Sequence, residues 1–398
     1  MIDLSASQKI ALEKAVKWFK QSSRGGSSVF RLFGYAGTGK TSVLKAMIAS
    51  LGLAMDEVRF VAPTGKAARV MAKAVGAPAE TIHAAYYKPR VIVDDRGNES
   101  IDFRFRETSE GCKLIVIDEC SMVTDEIFNQ VVSLGVPIVL LGDPGQLPPV
   151  SGSGSATMGS SDVTLTEIHR QSDHSSIVDI AELVRDGKRL DEGDDGAGVR
   201  VVEGRRAKGR VEEALRIAGL GVADLASFDQ VIVGTNELRA NINLLMLEYL
   251  GLQAGVPVGH ADEKIIVTRN HKDSGFANGD FIRVCREPGR GRLQNKLGNF
   301  LDAPVGVSAE DDPFSEVKAD LWLPPFVPGL AVSAYDKSRS QRCLQADWGW
   351  AITAHKSQGS QWKKVLVFDQ SSVFRSESRR WLYTAVTRAR EELTVIRF

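Results

Sequence analysis

Residues 29–41 read VFRLFGYAGTGKT, an apolar β-prone run followed at 34–41 by the spacing G-x-x-x-x-G-K-T. Gly34, Gly37 and Gly39 permit the positive-φ turns that aim successive backbone N–H groups at one anion. In such a loop Lys40 reaches the outer phosphates of a nucleotide and Thr41 offers a hydroxyl to Mg²⁺. The next run, SVLKAMIASL, has helical spacing, which sets the phosphates at a helix N-terminus. A glycine-rich turn that matches by accident is the competing reading, and the strand-then-helix context weighs against it.

Outward from this loop the first third keeps alternating. The apolar runs EVRFVAP (57–63), CKLIVIDE (112–119) and VPIVLLGD (136–143) are separated by helical patterns. Continuous apolar strands between helices indicate an α/β fold with a parallel sheet covered on both faces. Such sheets bind ligands at the carboxyl ends of their strands. GYAGTGKT, APTGKAAR, DECSM and GDPGQLPPV all lie at such ends. Two short alternating stretches, RVIV (90–93) and SIDFRFR (100–106), flank the turn signal DDRGNE and predict a β-hairpin inserted in this first domain. GSGSATMGSS (152–161) reads as a loop by composition. A second strand–helix pattern appears at FDQVIVGTNELRANINLLMLEYL (228–250) and again at KKVLVFDQ (363–370). Residues 276–340 differ, with many Gly and Pro and no helical period, and predict a small all-β insertion.

At 398 residues the chain is long for one core. Its 43% hydrophobic and 25% charged residues are those of an ordinary globular protein. No apolar run reaches bilayer length, and MIDLSASQKI lacks an apolar signal core. The four cysteines (Cys112, Cys120, Cys285, Cys343) form no C-x-x-C pair, which favours a reduced, cytosolic compartment and offers no zinc site. The net charge of zero argues against a wholly basic duplex-binding surface. It leaves room for a narrow basic track, for which RRAKGR (205–210) and residues 375–390 are candidates.

The chemistry concentrates in a few side chains. Asp118 and Glu119 follow an apolar strand, and a nucleotide hydrolase needs one carboxylate for Mg²⁺ and a second to activate water. Gln146 in GDPGQLPPV is placed to contact the γ-phosphate or the attacking water. Arg170 in LTEIHRQ and Arg388 in YTAVTRARE are candidates to offset charge on the transferring phosphoryl group.

Taken in order, GYAGTGKT, APTGKAAR, TIHAAYY, VIDECSM, LGDPGQLPPV, LTEIHRQ, VGTNELRANIN, TAHKSQGSQW and LYTAVTRARE resemble the motif set of superfamily 1 DNA helicases. The chain is most similar to the RecD/Dda-like branch, superfamily 1B, and VTRNHKDSGFANGD (267–280) supports that branch. The resemblance runs from near residue 8 to residue 391. It implies two RecA-like P-loop NTPase domains. The first spans 1–175, with a pin hairpin inserted at 86–112. The second comprises 176–275 and 341–398 and carries the all-β (SH3-like) insertion at 276–340.

The same resemblance implies ATP and Mg²⁺ as cofactors. Gln8 would read adenine; Gly37, Thr38, Gly39, Lys40 and Thr41 would hold phosphate; Thr41 and Asp118 would hold the metal. Glu119 would be the general base, and Gln146, Arg170 and Arg388 would contact the γ-phosphate, Arg388 from the second domain. Pro63, Thr64, Lys66 and His83 would line a single-strand track in the first domain, and Thr353, His355, Ser357 and Gln358 in the second. Phe103 and Phe105 would belong to the strand-separating pin. Gln361 departs from the family, whose RecD members often have Glu there.

The implied activity is ATP-driven 5′→3′ translocation on single-stranded DNA with unwinding at single-strand/duplex junctions. The expected protein is a monomer with replication, repair or recombination partners and no membrane association. By length it is closer to the compact phage-type members than to the large bacterial ones. Two rivals remain: a translocase that strips proteins without parting strands, and a P-loop phosphotransferase. A hydrolysis rate that depends on single-stranded DNA separates both motors from the phosphotransferase, and a wedge separates the helicase from the bare translocase.

Overall fold

The computed structural model describes residues 4–22, 28–93, 99–106, 109, 111–149, 157–167, 176–204, 207, 209–252, 257, 259–260, 263–286, 289–310, 312–327, 330, 332–333, 336–337 and 340–398. The chain divides into two compact units, residues 1–90 with 101–175, and 91–100 with 176–398.

The first unit contains strands β1 (Val29–Gly34), β2 (Val58–Ala62), β3 (Ala79–Thr81), β6 (Leu114–Ile117), β7 (Ile138–Gly142) and β8 (Val163–Leu165), together with most of β4 (Tyr87–Val93) and β5 (Glu99–Phe105), whose residues 91–93 and 99–100 group with the second unit. Six of them form one sheet in the order β3-β2-β6-β7-β1-β8, with every neighbouring pair parallel. Both faces are covered, and the two-residue period of a strand divides the side chains between them. Phe30, Leu32, Leu114, Val116, Val139 and Leu141 enter one core with Val43, Leu44 and Met47 of the helix Lys40–Leu51. Phe33, Ile115, Ile117, Ile138 and Leu140 enter the opposite core with Phe128 and Val131 of the helix Asp125–Val132. This is why β6 and β7 read as unbroken apolar runs.

Strands β4 and β5 form a separate two-stranded ribbon. Its base is tied to the unit where the Arg106 amide donates to the Tyr86 carbonyl at 2.7 Å and Arg106 Nη2 donates to the Tyr87 carbonyl at 3.2 Å. The expected turn DDRGNE lies, but for Glu99, outside the described residues.

The second unit contains β9 (Gly193–Asp194), β10 (Val199–Glu203), β11 (Gln230–Val233), β12 (Ile265–Val267), β13 (Phe281–Arg286), β14 (Asp302–Ala309), β15 (Asp312–Trp322), β16 (Ala346–Trp348), β17 (Ala351–Thr353), β18 (Trp362–Asp369) and β19 (Ala389–Arg397). A second six-stranded sheet has the order β17-β11-β18-β19-β10-β9, parallel except for the short edge strand β9. A five-stranded antiparallel sheet has the order β15-β14-β13-β12-β16. It runs from Ile265 to Trp348 and so extends beyond the expected 276–340 at both ends. Its first and last strands along the chain, β12 and β16, have three residues each, too few to show a period.

Only Gly349 and Trp350 separate β16 of the antiparallel sheet from β17 of the parallel one. Asn243, on the helix Asn236–Tyr249, donates to the Trp348 carbonyl at 3.0 Å and accepts the Ala351 N–H at 2.8 Å. Gln230 Nε2 donates to the Gly349 and Trp350 carbonyls at 3.1 and 3.0 Å. The Trp348 and Trp350 rings stack at 5.1 Å, and Arg239 pairs with Asp347. One hydrophobic core joins Val231 and Leu366 of the parallel sheet to Ile265, Val305 and Leu321 of the antiparallel one. Among the described residues no helix is long and apolar enough to cross a membrane.

Candidate functional site

The loop that follows β1 is built as its sequence requires. Gly39, at φ 81°, caps the helix Lys40–Leu51 from a left-handed conformation with no side-chain cap, so the first turn of that helix presents backbone N–H groups. Thr38 Oγ1 donates to the Tyr35 carbonyl at 2.9 Å and closes the loop. Lys40 Nζ folds over it, donating to the carbonyls of Gly34 and Tyr35 at 2.6 and 3.2 Å. A Cβ on Gly39 would lie 2.3 Å from Gln8 Nε2, so a side chain there would displace the Gln8 amide. Thr41 is half-buried in the first helical turn.

Gln8 is buried against the loop. Its Nε2 donates to the Thr38 carbonyl at 3.1 Å and its Oε1 accepts the Ser5 N–H at 3.0 Å. One N–H and one oxygen lone pair of the amide remain for a base edge. The side chain expected to read adenine therefore also braces the phosphate loop.

At the end of β6, the Asp118 amide donates to the Val61 carbonyl at 3.0 Å, and Asp118 Oδ1 accepts the Glu119 N–H at 2.8 Å. Burial pushes the Asp118 carboxyl up, while the Glu119 N–H and the Lys40 charge oppose that rise. Glu119 itself is left-handed, at φ 50° and ψ 42°. A non-glycine residue there costs roughly 1–3 kcal/mol and persists only where the surroundings enforce it. The enforcement is visible beside it: Cys120 Sγ lies 2.6 Å from where a Cβ on Gly142 would be, so the end of β7 must be glycine for this turn to seat.

Beyond β7, Asp143 Oδ1 accepts the Gly145 N–H at 2.9 Å and its carbonyl accepts the Gln146 N–H at 3.1 Å. Gln146 is 6% exposed, and its Oε1 has no partner among the described residues. A buried amide oxygen without a donor fits a site that receives one from water or ligand. Lys40, Asp118, Glu119 and Gln146 thus stand at neighbouring strand ends of one sheet. Arg170 lies outside the described residues.

The expected track residues divide by role. In the first unit the Thr64 hydroxyl accepts the Ala67 N–H at 3.2 Å and caps the helix Gly65–Val75, whose first turn carries Lys66. Pro63 precedes that cap. The His83 ring stacks on Tyr87 at 4.9 Å and meets Phe103 edge-on at 5.8 Å, and burial lowers its pKa. Phe105 packs edge-on against Tyr87 at 5.4 Å, whereas Phe103 is 48% exposed. The two pin phenylalanines are therefore not equivalent.

In the second unit Thr353 and His355 are half-buried at the end of β17. Ser357 is fully buried and donates to the Ala354 carbonyl at 2.7 Å, so its hydroxyl serves the helix Ala354–Ser357 rather than an open surface. Gln358 is also buried. Sequence reasoning passed over Lys356 between them, whose pKa burial pulls down to about 8. A lysine in a polar motif carries no mark of that environment.

Arg388 is 3% exposed and turned into its own unit. Its Nε donates to the Thr384 carbonyl at 2.9 Å, Nη1 to the Ser360 carbonyl at 3.1 Å and Nη2 to Thr387 Oγ1 at 3.0 Å. Gln361 Nε2 donates to the neighbouring Thr387 carbonyl at 3.3 Å. A carboxylate cannot make that bond, which gives glutamine a local reason to stand where relatives have Glu. Among the aromatic residues in or beside TIHAAYY, VTRNHKDSGFANGD and TAHKSQGSQW, Tyr86, Tyr87, Phe276 and Trp350 are buried in cores, and Trp362 packs edge-on against Phe281.

A family model described as an AAA domain matches residues 4–214, more than half of the 398. The chain belongs to that family. A second model, the UvrD-like helicase C-terminal domain, matches residues 349–396 of this AAA-domain protein. Together with the RecD relatives they support the resemblance to RecD-like superfamily 1 helicases. Among curated proteins it is 26% identical over 379 residues to the ATP-dependent RecD2 DNA helicase of Deinococcus radiodurans, covering 90% of this chain and 46% of that one. It is 26% identical over 410 residues to the conjugal transfer protein TraA of Rhizobium radiobacter, covering 98% and 32%. The chain thus spans less than half the length of these two relatives. Among solved structures, the Pif1 helicase from Candida albicans superposes with a TM-score of 0.53 at 18% identity, covering 100% of this chain and 95% of that one. That likeness confirms the α/β fold of the AAA-domain protein.

Proposed function

We propose that this chain is an ATP- and Mg²⁺-dependent DNA motor that translocates 5′→3′ on single-stranded DNA and opens duplex at single-strand junctions. The observation that carries the reading is the Asp118–Glu119 turn. A buried carboxylate lies in the field of Lys40, and a strained left-handed residue beside it supplies a second carboxylate at the same strand end. The uncapped helix start, the closed glycine loop and Lys40 fit the triphosphate of a nucleotide. Thr41 and Asp118 would hold Mg²⁺, which neutralises charge on the phosphates when bound.

In hydrolysis Glu119 takes the proton of the water whose oxygen bonds to the γ-phosphorus, and the bond to the β–γ bridging oxygen breaks. Gln146, with its free buried Oε1, holds that water by accepting its other proton. Lys40 exchanges its loop carbonyls for phosphate oxygens. Arg388 contributes charge to turnover only after giving up carbonyl partners in its own unit. RecD2, named as a DNA helicase, and the superfamily 1 motif set support DNA as the polymer.

The rival is a translocase that never parts strands, and the ribbon β4–β5 favours the helicase because a wedge needs a structured element apart from the main sheet. The deciding experiment measures ATP hydrolysis with and without single-stranded DNA, then unwinding of duplexes bearing either a 5′ or a 3′ single-stranded tail. Stimulated hydrolysis with unwinding from the 5′ tail alone is expected. Unstimulated hydrolysis would point to a phosphotransferase, and unwinding from the 3′ tail would reverse the polarity.

A further inference from the structure

Between β18 and the helix Ser378–Val386 runs the short 3-10 segment Ser371–Glu377, of which only the last three residues fall in the basic stretch 375–390. Its Phe374 ring lies nearly parallel to the Trp381 ring, with 13° between planes and 5.5 Å between centroids. The His355 ring is also in contact with it, tilted by 48° at 5.8 Å between centroids. Trp381 is fully buried on the helix Ser378–Val386, so Phe374 rests on an immobile wall. The ring also covers the end of β11: a Cβ built on Gly234 would come within 3.0 Å of Phe374 Cε2. Immediately before this segment Gln370 Oε1 accepts the N–H groups of Gly234 and Thr235 at 2.8 and 3.1 Å. Immediately after Phe374 the backbone of Arg375 turns through φ 46° and ψ −110°. An L-residue adopts that conformation only when its neighbours hold it, and strain of this kind gathers where a side chain must be aimed.

From these contacts we propose that Phe374 is a positioning residue. It packs on Trp381, touches His355, and holds the imidazole in the orientation with which the second unit grips single-stranded DNA. The inference rests on the proposed reading of His355 as a track residue. An aromatic wall restricts the imidazole to few rotamers, and a preoriented group binds its ligand with less entropy lost than a free one. The planar face is what matters, since an aliphatic side chain of similar volume leaves the imidazole free to turn about its own axis.

The test follows ATP hydrolysis against the concentration of a single-stranded oligothymidylate. Phe374→Leu should raise the half-saturating oligonucleotide concentration about tenfold while the maximal rate stays within about twofold of wild type, and Phe374→Tyr should restore it. His355→Ala should match or exceed the effect of the leucine variant. A leucine variant with wild-type half-saturation overturns the proposal, and so does one whose maximal rate falls in step, which is the mark of a merely structural role. If His355→Ala raises half-saturation and Phe374→Leu does not, only this inference fails. If His355→Ala itself changes nothing, the reading of His355 as a track residue fails and takes the inference with it.

Discussion

Position 39 favours glycine for two reasons. Its φ of 81° penalises any side chain, and its missing Cβ leaves the space that Gln8 Nε2 occupies. Gly39→Ala should cost about 1–3 kcal/mol of stability and weaken ATP binding, because Gln8 must leave the Thr38 carbonyl. A urea titration and a nucleotide titration of the same variant check both. Glu119 faces the opposite situation, a side chain kept despite its backbone. Glu119→Gln preserves shape and removes the base, so ATP should still bind while DNA-stimulated turnover falls by roughly 10²-fold or more. Turnover at the wild-type rate would take Glu119 out of that role. These two positions are legible in the sequence, because glycine spacing and paired carboxylates carry their chemistry in their identity. The second bond of Gln8 and the inward turn of Arg388 are not, since both depend on which carbonyls the fold brings near.

The ribbon β4–β5 illustrates what an element can and cannot announce in advance. Alternation on either side of a polar turn was enough to predict it, because a strand exposes every second residue. Which of its phenylalanines would be covered was not readable, since that depends on His83 and Tyr87 from the preceding helix and strand. Phe105 is anchored and Phe103 is left half-open, so the ribbon offers an aromatic edge on a fixed base. Opening one base pair costs about 1–2 kcal/mol, a barrier that a rigid obstacle can turn into a bias against reannealing. Replacing residues 92–102 by a short Gly-Ser linker should abolish duplex unwinding while hydrolysis stimulated by single strands persists. Full unwinding by that variant would move the wedge elsewhere, with the antiparallel sheet next in line. The three-residue strands β12 and β16 were missed for a simpler reason: a period cannot be counted over three residues.

Across the whole molecule, the parallel sheets followed from their unbroken apolar runs, whereas the electrostatic cost of burial did not. Lys356 shows that cost. Its pKa is about 8 in the fold, pulled down chiefly by burial, against about 10.4 for an unperturbed lysine. Between those two values the unfolded chain holds a proton that the folded chain lacks, so this residue makes stability rise with pH across that window. Below about 8 the folded protein carries the whole penalty. Lys356→Met should therefore be more stable than wild type at pH 7, by about 1–3 kcal/mol. The advantage should shrink as the pH is raised towards 10, which urea midpoints of the two proteins at each pH would reveal. A variant no more stable at pH 7 would mean that the ammonium is well solvated. A different whole-molecule property follows from the junction at Gly349 and Trp350. Two buried amides, Asn243 and Gln230, pin both ends of this two-residue link. Such a short, fastened link cannot act as a hinge. The antiparallel sheet and the second parallel sheet must turn together like the two arms of a bell crank, so a small rotation of one is delivered undamped at the far tip of the other.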